Sequence, residues 1–502
     1  MPTKLVTYSS FQSTLLTLLL ASDNWVTYVA SENDVIAEPS CDSSASVDIR
    51  YASSTARLYL EAATAGDRGG CVTLTDIYND RGDQGPLYPV DPSTGSRVST
   101  ATGTWLLTED LYVEDGITLN VHGGSDGDCD ELRLLSDSST YINLRAYGGS
   151  LSFHDTKVFA WDEGDDSYDT DYEDGRSYIS VISEVIVDSS ETCDGAADDD
   201  MGEARMDIVD SEMAYLGYNA AESYGLVWKV RGFCVDESNV DIFDEVNVYG
   251  NIYDSEIHHN YFGMYTYGHQ QGDWRRNTMR DNIQYGFDPH DDSDFLNIHD
   301  NVVYGNGNHN IIASKRCNGL SIQENTVYDG DQVGIFLHRS SDDATVAGNT
   351  VYGNGNAGMA LMESFGAQVS GNSFTDNLYG VRLSVASANN VFENNEFIDN
   401  TDYNVYTYEG SDEPYTVDSG RCQDNEFSEN TIQGGSETIK LQDSDGTEFT
   451  SNEFADVSTI RLDDATDVLM TGNTGLDGSY ELVVENGGCF DAASDDGFEP
   501  TC

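Results

Sequence analysis

An Asn followed by a small or acidic residue and then an apolar one returns along this chain at nearly constant spacing, and that repeat restricts the fold more than any other feature. The triplets begin at Asn277, Asn301, Asn325, Asn349, Asn372, Asn395, Asn425, Asn452 and Asn473. The first five intervals are 24, 24, 24, 23 and 23 residues; the last three, 30, 27 and 21, imply looser loops. A second column runs in phase through Gly263, Gly286, Asn310, Gly334, Gly358 and Gly380. A period of this length marks a solenoid, in which each repeat rests only on its neighbours. Neither a leucine scaffold nor helical periodicity accompanies it. Short β-rich pieces such as NTVYG and MALMES lie between the Asn and Gly corners. They predict an all-β fold, a right-handed parallel β-helix, with Asn side chains hydrogen-bonded from coil to coil.

The repeat is absent from residues 1–100, which read as an N-terminal cap over an otherwise sticky solenoid end. Residues 101–485 carry the β-helix, irregular up to about 255, with the chemistry expected in coils 255–345. Residues 486–502 form a tail that Cys489 and Cys502 are placed to close. Nine cysteines with no CxxC argue against zinc and for a few disulfides outside the cytoplasm. No cofactor or metal is expected, and calcium is not indicated. Lys4 and the apolar run Leu15 to Ala21 read either as a weak signal peptide or as a first amphipathic helix. No stretch reaches the ~18 apolar residues of a membrane helix, so no membrane insertion is expected. The expected location is extracellular or at a cell surface, with a virion surface as the alternative. The acidic run Glu163 to Asp174 is expected to be a solvated loop.

Charge narrows the partner. Asp and Glu number 90 against 23 Lys and Arg, a net charge of −67. Such a chain repels itself in dilute buffer and is screened in strong salt, which points to a halophilic, archaeal source. It also excludes nucleic acid, whose phosphates need a basic surface. Yet seven of the nine His lie between His258 and His338, in a window that also holds Arg275, Arg276, Arg280, Lys315, Arg316 and Arg339. A basic cluster in so acidic a chain suits an anionic ligand, here an acidic polysaccharide lying in a groove. A step of 24 carries His290 to Ser314 and then to His338, so the three should stack on one face. Arg316, two residues past Ser314, should share it, and Lys315 should alternate away. The same step stacks Tyr285 under His309. Strict alternation would turn Tyr285 away from His290 unless Pro289 bends the strand.

The run YGFDPHD at Tyr285 to Asp291 resembles the signature of the mannuronan C5-epimerases. AYLGY at 214–218, SYG at 223–225, HHNYFGMYTY at 258–267 and NHNIIASKRCN at 308–318 extend the resemblance over residues 100–400. It is closer to the periplasmic bacterial type than to the secreted calcium-dependent type. The resemblance implies inversion at C5 of a uronate within a polymer. His290 would be the base, Arg316 would neutralise the uronate carboxylate, and Asp288 would help position the site. Tyr285 or water would return the proton. His309, Lys315, His338, Arg339, Tyr267 and Asp291 are the expected substrate-binding residues. The family commonly follows DPHD with Arg and Ser, whereas Asp292 precedes Ser293 here, so a positive charge beside the groove has become negative. Two rival readings are a polyuronate lyase using the same groove, and a viral tail spike or adhesin binding cell-surface glycans. Oligomeric state is not legible.

Overall fold

The structure is a computed structural model describing residues 40–502, apart from 65–66, 83–84, 126, 185–201, 232–242, 244–245, 412–419, 477–479, 492, 495, 497 and 499–502. Among the described residues the strands assemble into three long sheets of 17, 14 and 16 strands, here A, B and C. A typical coil runs Phe262–Tyr267 in A, Asp273–Arg275 in B and Thr278–Arg280 in C, then re-enters A at Phe287–Asp288. Pairing between successive coils is parallel and in step with the repeat, as in Asn297↔Ser321 and Ser321↔Thr345.

Short strands with one inward residue each build the core. In sheet B, Ile298, Ile322, Val346, Val369, Phe392, Phe427 and Phe449 form one buried file, and three of its rings stack at centroid distances of 4.6 and 4.9 Å. Each such side chain contributes about 1.5–3 kcal/mol by leaving water.

The corner between B and C holds the expected Asn ladder. Asn301 donates its backbone N–H and its Nδ2 to Asn325 Oδ1, both at 3.0 Å, and Nδ2 also reaches the Trp274 carbonyl at 2.9 Å. The pattern repeats through Asn349, Asn372 and Asn395. There the expected register fails. The next rung is Asn430, 2.8 Å from Asn395 N, and it hands on to Asn452. Asn425 belongs instead to a parallel rung under Asn390. The triplet Asn430-Thr431-Ile432 fits the repeat as well as Asn425 does; this coil is 35 residues long, which places the true rung five residues later. The Gly column has a steric cause: a Cβ on Gly286 would lie 2.3 Å from the Asn310 carbonyl of the next coil.

Coil stacking extends back across residue 100. Arg57–Ala62 pairs in parallel with Asp110–Val113, and Gly70–Thr73 with Ile117–His122. The helix Leu74–Arg81 starts at a Thr73–Asp76 capping box and buries Leu74 and Ile77. At the other end Phe490 and Phe498 close over the last coil, 4.4 Å apart. Cys41 and Cys71 form a disulfide, Cys489 is also disulfide-bonded, and Cys129, Cys317 and Cys422 are free and buried. The candidate partner Cys502, and the run Leu15 to Ala21, lie outside the described residues. The stretch 163–174 is largely exposed, as expected of a solvated loop, though Asp169 is buried against Ser136 Oγ.

Candidate active site

The outer face of sheet A carries the expected residues in adjacent files. Tyr265, Asp288, Ile312, Phe336, Ala360 and Arg382 occupy successive coils of one file. His290, Ser314, His338 and Met362 occupy the next. The stacking of His290, Ser314 and His338 is as the spacing predicts. Asp288 ends its strand, and His290, two residues on, resumes the parallel pairing through its bridge to Ser314.

His290 is held from beneath and from the side. Its backbone N–H lies 3.3 Å from Thr266 Oγ1, and its carbonyl accepts from Ser293 Oγ at 2.8 Å. Those two hydroxyls are 2.8 Å apart inside the helix. Asp291 contacts Nδ1, which leaves Nε2 as the nitrogen available to a substrate. Burial works against ionisation of Asp291, but the close contact with His290 and the charges of Lys315 and Arg316 outweigh it and lower its pKa.

The cations arrive differently from the expected alternation. The chain turns immediately after Ser314, with φ of 67° at Lys315 and 57° at Arg316. Asp291 and Asp292 (32° and 56°) form the same turn one coil earlier, and Arg339 and Ser340 (55° and 56°) one coil later. Consecutive left-handed residues without glycine cost of order 1–3 kcal/mol each. Coil-to-coil bonds hold them, such as Arg316 N to the Arg339 carbonyl at 2.9 Å. Strand alternation therefore does not apply to either cation. Lys315 Nζ lies 3.6 Å from Asp291 and Arg316 Nη2 lies 2.9 Å from it, so Lys315 joins the site rather than leaving it. Arg316 is also gripped by Asp292, at 2.7 Å from Nη2 and 3.0 Å from Nε. The acidic departure from the family pattern thus lands on the guanidinium itself.

Tyr285 also faces the groove, and Pro289 is not the reason. The strand begins only at Phe287, so alternation does not reach back to position 285. Its ring stacks on His309 at 5.7 Å, as predicted, and meets Phe262 edge-on at 4.8 Å. Burial, with help from Asp288, pushes its pKa up to about 12. Asp288 is fully buried, and neither carboxylate oxygen has a hydrogen-bond partner. That burial, reinforced by Asp291 and only partly offset by Lys315, raises its pKa well above the usual carboxylate range.

The flanking residues differ in kind. His309 accepts the Val333 N–H on Nδ1 at 3.1 Å, and burial lowers its pKa to about 3, so it meets a ligand as a neutral ring. His338 packs on Phe336 at 5.0 Å. Tyr267 sits one coil before His290, near Lys229 and Phe243. Arg339 occupies the turn beyond His338. Sequence reasoning missed Tyr265, whose ring is 5.2 Å from His290, although a step of 23 back from Asp288 reaches it. It also missed Thr266, Ser293 and Arg382. A separate cleft of about 510 Å³ lies among Asp130, Asp155, Asp210, Glu212, Asp254 and Glu256, a lining unsuited to an anionic polymer. Among the described residues no group of three or more His, Cys, Asp or Glu could hold a metal ion.

Comparisons with known proteins bear on the fold and on sequence similarity. A family described as "Right handed beta helix region" matches residues 310–414. The mannuronan C5-epimerase of Pseudomonas aeruginosa is 29% identical over 220 residues, 43% of this chain and 35% of that protein. The AlgG mannuronan C5-epimerase of Azotobacter vinelandii is 28% identical over 223 residues, 44% of this chain and 37% of that one. The chain thus spans about a third of the length of the curated relatives it matches. A crystal structure of the periplasmic alginate epimerase AlgG superposes with a TM-score of 0.62 at 21% identity, covering 86% of this chain and 85% of the other. The chain is a right-handed parallel β-helix, and over 43–44% of its length it is similar in sequence to mannuronan C5-epimerases.

Proposed function

We propose that this chain is a polyuronate C5-epimerase that converts mannuronate-type to guluronate-type residues within an acidic polymer. One observation carries the reading: His290, Asp288, Asp291, Lys315, Arg316 and Tyr285 converge on one outer groove from adjacent coils. A proton α to a carboxylate is very weakly acidic, so the carboxylate must be neutralised before it leaves. Arg316 and Lys315 supply that charge. His290 Nε2 takes the C5 proton, and the electron pair moves into the carboxylate. Asp288, whose protonated form is favoured by its burial, donates a hydrogen bond to the same carboxylate. Reprotonation from the opposite face, by Tyr285 or water, gives the inverted centre; the His290 proton returns to solvent, and solvent restores the proton that Tyr285 or water gave up. Tyr265 walls the ring against His290.

The disulfide favours action outside the cytoplasm. The net charge of −67 suits a brine, where a Debye length of roughly 3 Å at 1 M lets a polyanion approach. The test is proton NMR of polymannuronate incubated with the protein in molar salt, beside His290→Ala. New guluronate signals that vanish in the variant are expected. Unsaturated chain ends would make the protein a lyase, and unchanged polymer would reject both readings.

A further inference from the structure

We propose that Arg382 is a second carboxylate-binding residue of the groove, holding a uronate some rings away from the one that reacts. This rests on reading the groove as a polyuronate site. Arg382 stands in the same outward file as Asp288, beside Ala360 of the preceding coil. It is three coils beyond Ile312, or about 14 Å along the axis at the usual strand spacing. The chain has 90 acidic residues, and its other groove cations, Lys315 and Arg316, are both paired with carboxylates. Arg382 forms no ion pair among the described residues, and its Nε is buried with no hydrogen-bond partner. A buried, unsatisfied guanidinium N–H is costly and calls for an acceptor that arrives from outside.

Its surroundings fit a sugar acid. Ala357 and Ala360 are fully buried in an apolar cluster with Phe336, against which Tyr379 packs. Tyr379, Tyr406 and Tyr408 form a continuous aromatic wall, with centroids 5.4 and 5.1 Å apart, and the guanidinium lies 6.0 Å from the Tyr408 ring. Arg382 stands between Ala360 of the coil before and Tyr406 of the coil after, so the tyrosines lie along its own file and beside it. Planar forks grip carboxylates in two-point fashion, and flat rings take the apolar faces of pyranoses. The combination selects an anionic sugar over a neutral one.

The test is fluorescence anisotropy of labelled polymannuronate, and of a labelled neutral β-glucan, with the full chain and the variants Arg382→Gln and Arg382→Met. The Met variant keeps the apolar stem, so packing survives if the Gln variant folds poorly. Both should bind polymannuronate about tenfold more weakly, as expected for a lost charged hydrogen bond, with melting temperature unchanged. Equal affinity in wild type and variants would overturn the assignment. So would an equal loss on the neutral glucan, or a wild type that binds no polyuronate. A chain that binds polymannuronate through Arg382 but leaves it unconverted by NMR would refute the epimerase and leave this subsite standing.

Discussion

The Asn corner and the outer groove of sheet A are cut from the same coils, but they treat polar groups in opposite ways. At the corner, the rungs from Asn277 to Asn452 are buried to about 1% exposure, and their amides bond to the coils before and after, as at Asn301. In the groove, Asp288 is buried without a partner and Arg382 lacks one on Nε. A stacked lattice completes its own hydrogen bonds. Function is concentrated where the lattice is left incomplete and an external group can supply the missing bond.

Substitutions should separate the two regions. The largest effect is expected at His290. His290→Ala should cut turnover of polymannuronate by about a hundred- to ten-thousandfold while leaving the melting transition in place. The ladder should respond the other way. Asn325→Ala leaves the Asn301 N–H and the Ile298 carbonyl without their partners and opens a small cavity. A loss of about 2–4 kcal/mol in denaturant unfolding is expected, with kcat of the folded fraction unchanged. A reversal of either pattern would break the distinction.

A smaller effect concerns His269, enclosed between Trp228 and Trp274 beneath the site, whose pKa burial lowers to about 3. The unfolded ring titrates near 6.5, so below that pH the unfolded state takes up a proton that the folded state refuses. Stability from this group is whole above pH 6.5 and falls as the pH drops toward 3, by about 2 kcal/mol at pH 5. His269→Phe should flatten that part of the pH–stability curve. The smallest effect is expected at Asp292. Asp292→Asn releases Arg316 from one of its two carboxylates and should lower KM for polymannuronate a fewfold at low salt, with the difference shrinking in molar salt. An unchanged KM at every salt concentration would mean that Arg316 is not limited by its neighbour.

The solenoid was legible because its period is long-range information written in single residues: Asn277 to Asn395 lie in one ladder as their spacing says. The slip at Asn425 arose where a coil grew to 35 residues and offered two matching triplets. In the site, files along strands could be read by counting, as for His290, Ser314 and His338. Turns could not, because Lys315 and Arg316 leave the strand in a left-handed conformation that alternation does not describe. Arg382 escaped notice for a further reason. Its significance lies in the absence of an acid beside it, and neighbourhood in space is not visible in a linear acidic sequence.

One detail of the interior bears on how such a chain can change. In the ladder through Asn282, Asn306, Asn354 and Asn377, the coil between Asn306 and Asn354 carries Gly330 where an amide is due. Asn310, from the coil before, swings into the gap, accepting from Asn306 at 2.8 Å and donating to Asn354 at 3.0 Å. A side chain on Gly330 would strike Asn310 Nδ2 at 2.6 Å. The two positions therefore form a single vacancy with two addresses. Evolution can move the amide between them only by exchanging both residues together, so drift at one site is licensed by its counterpart twenty residues away.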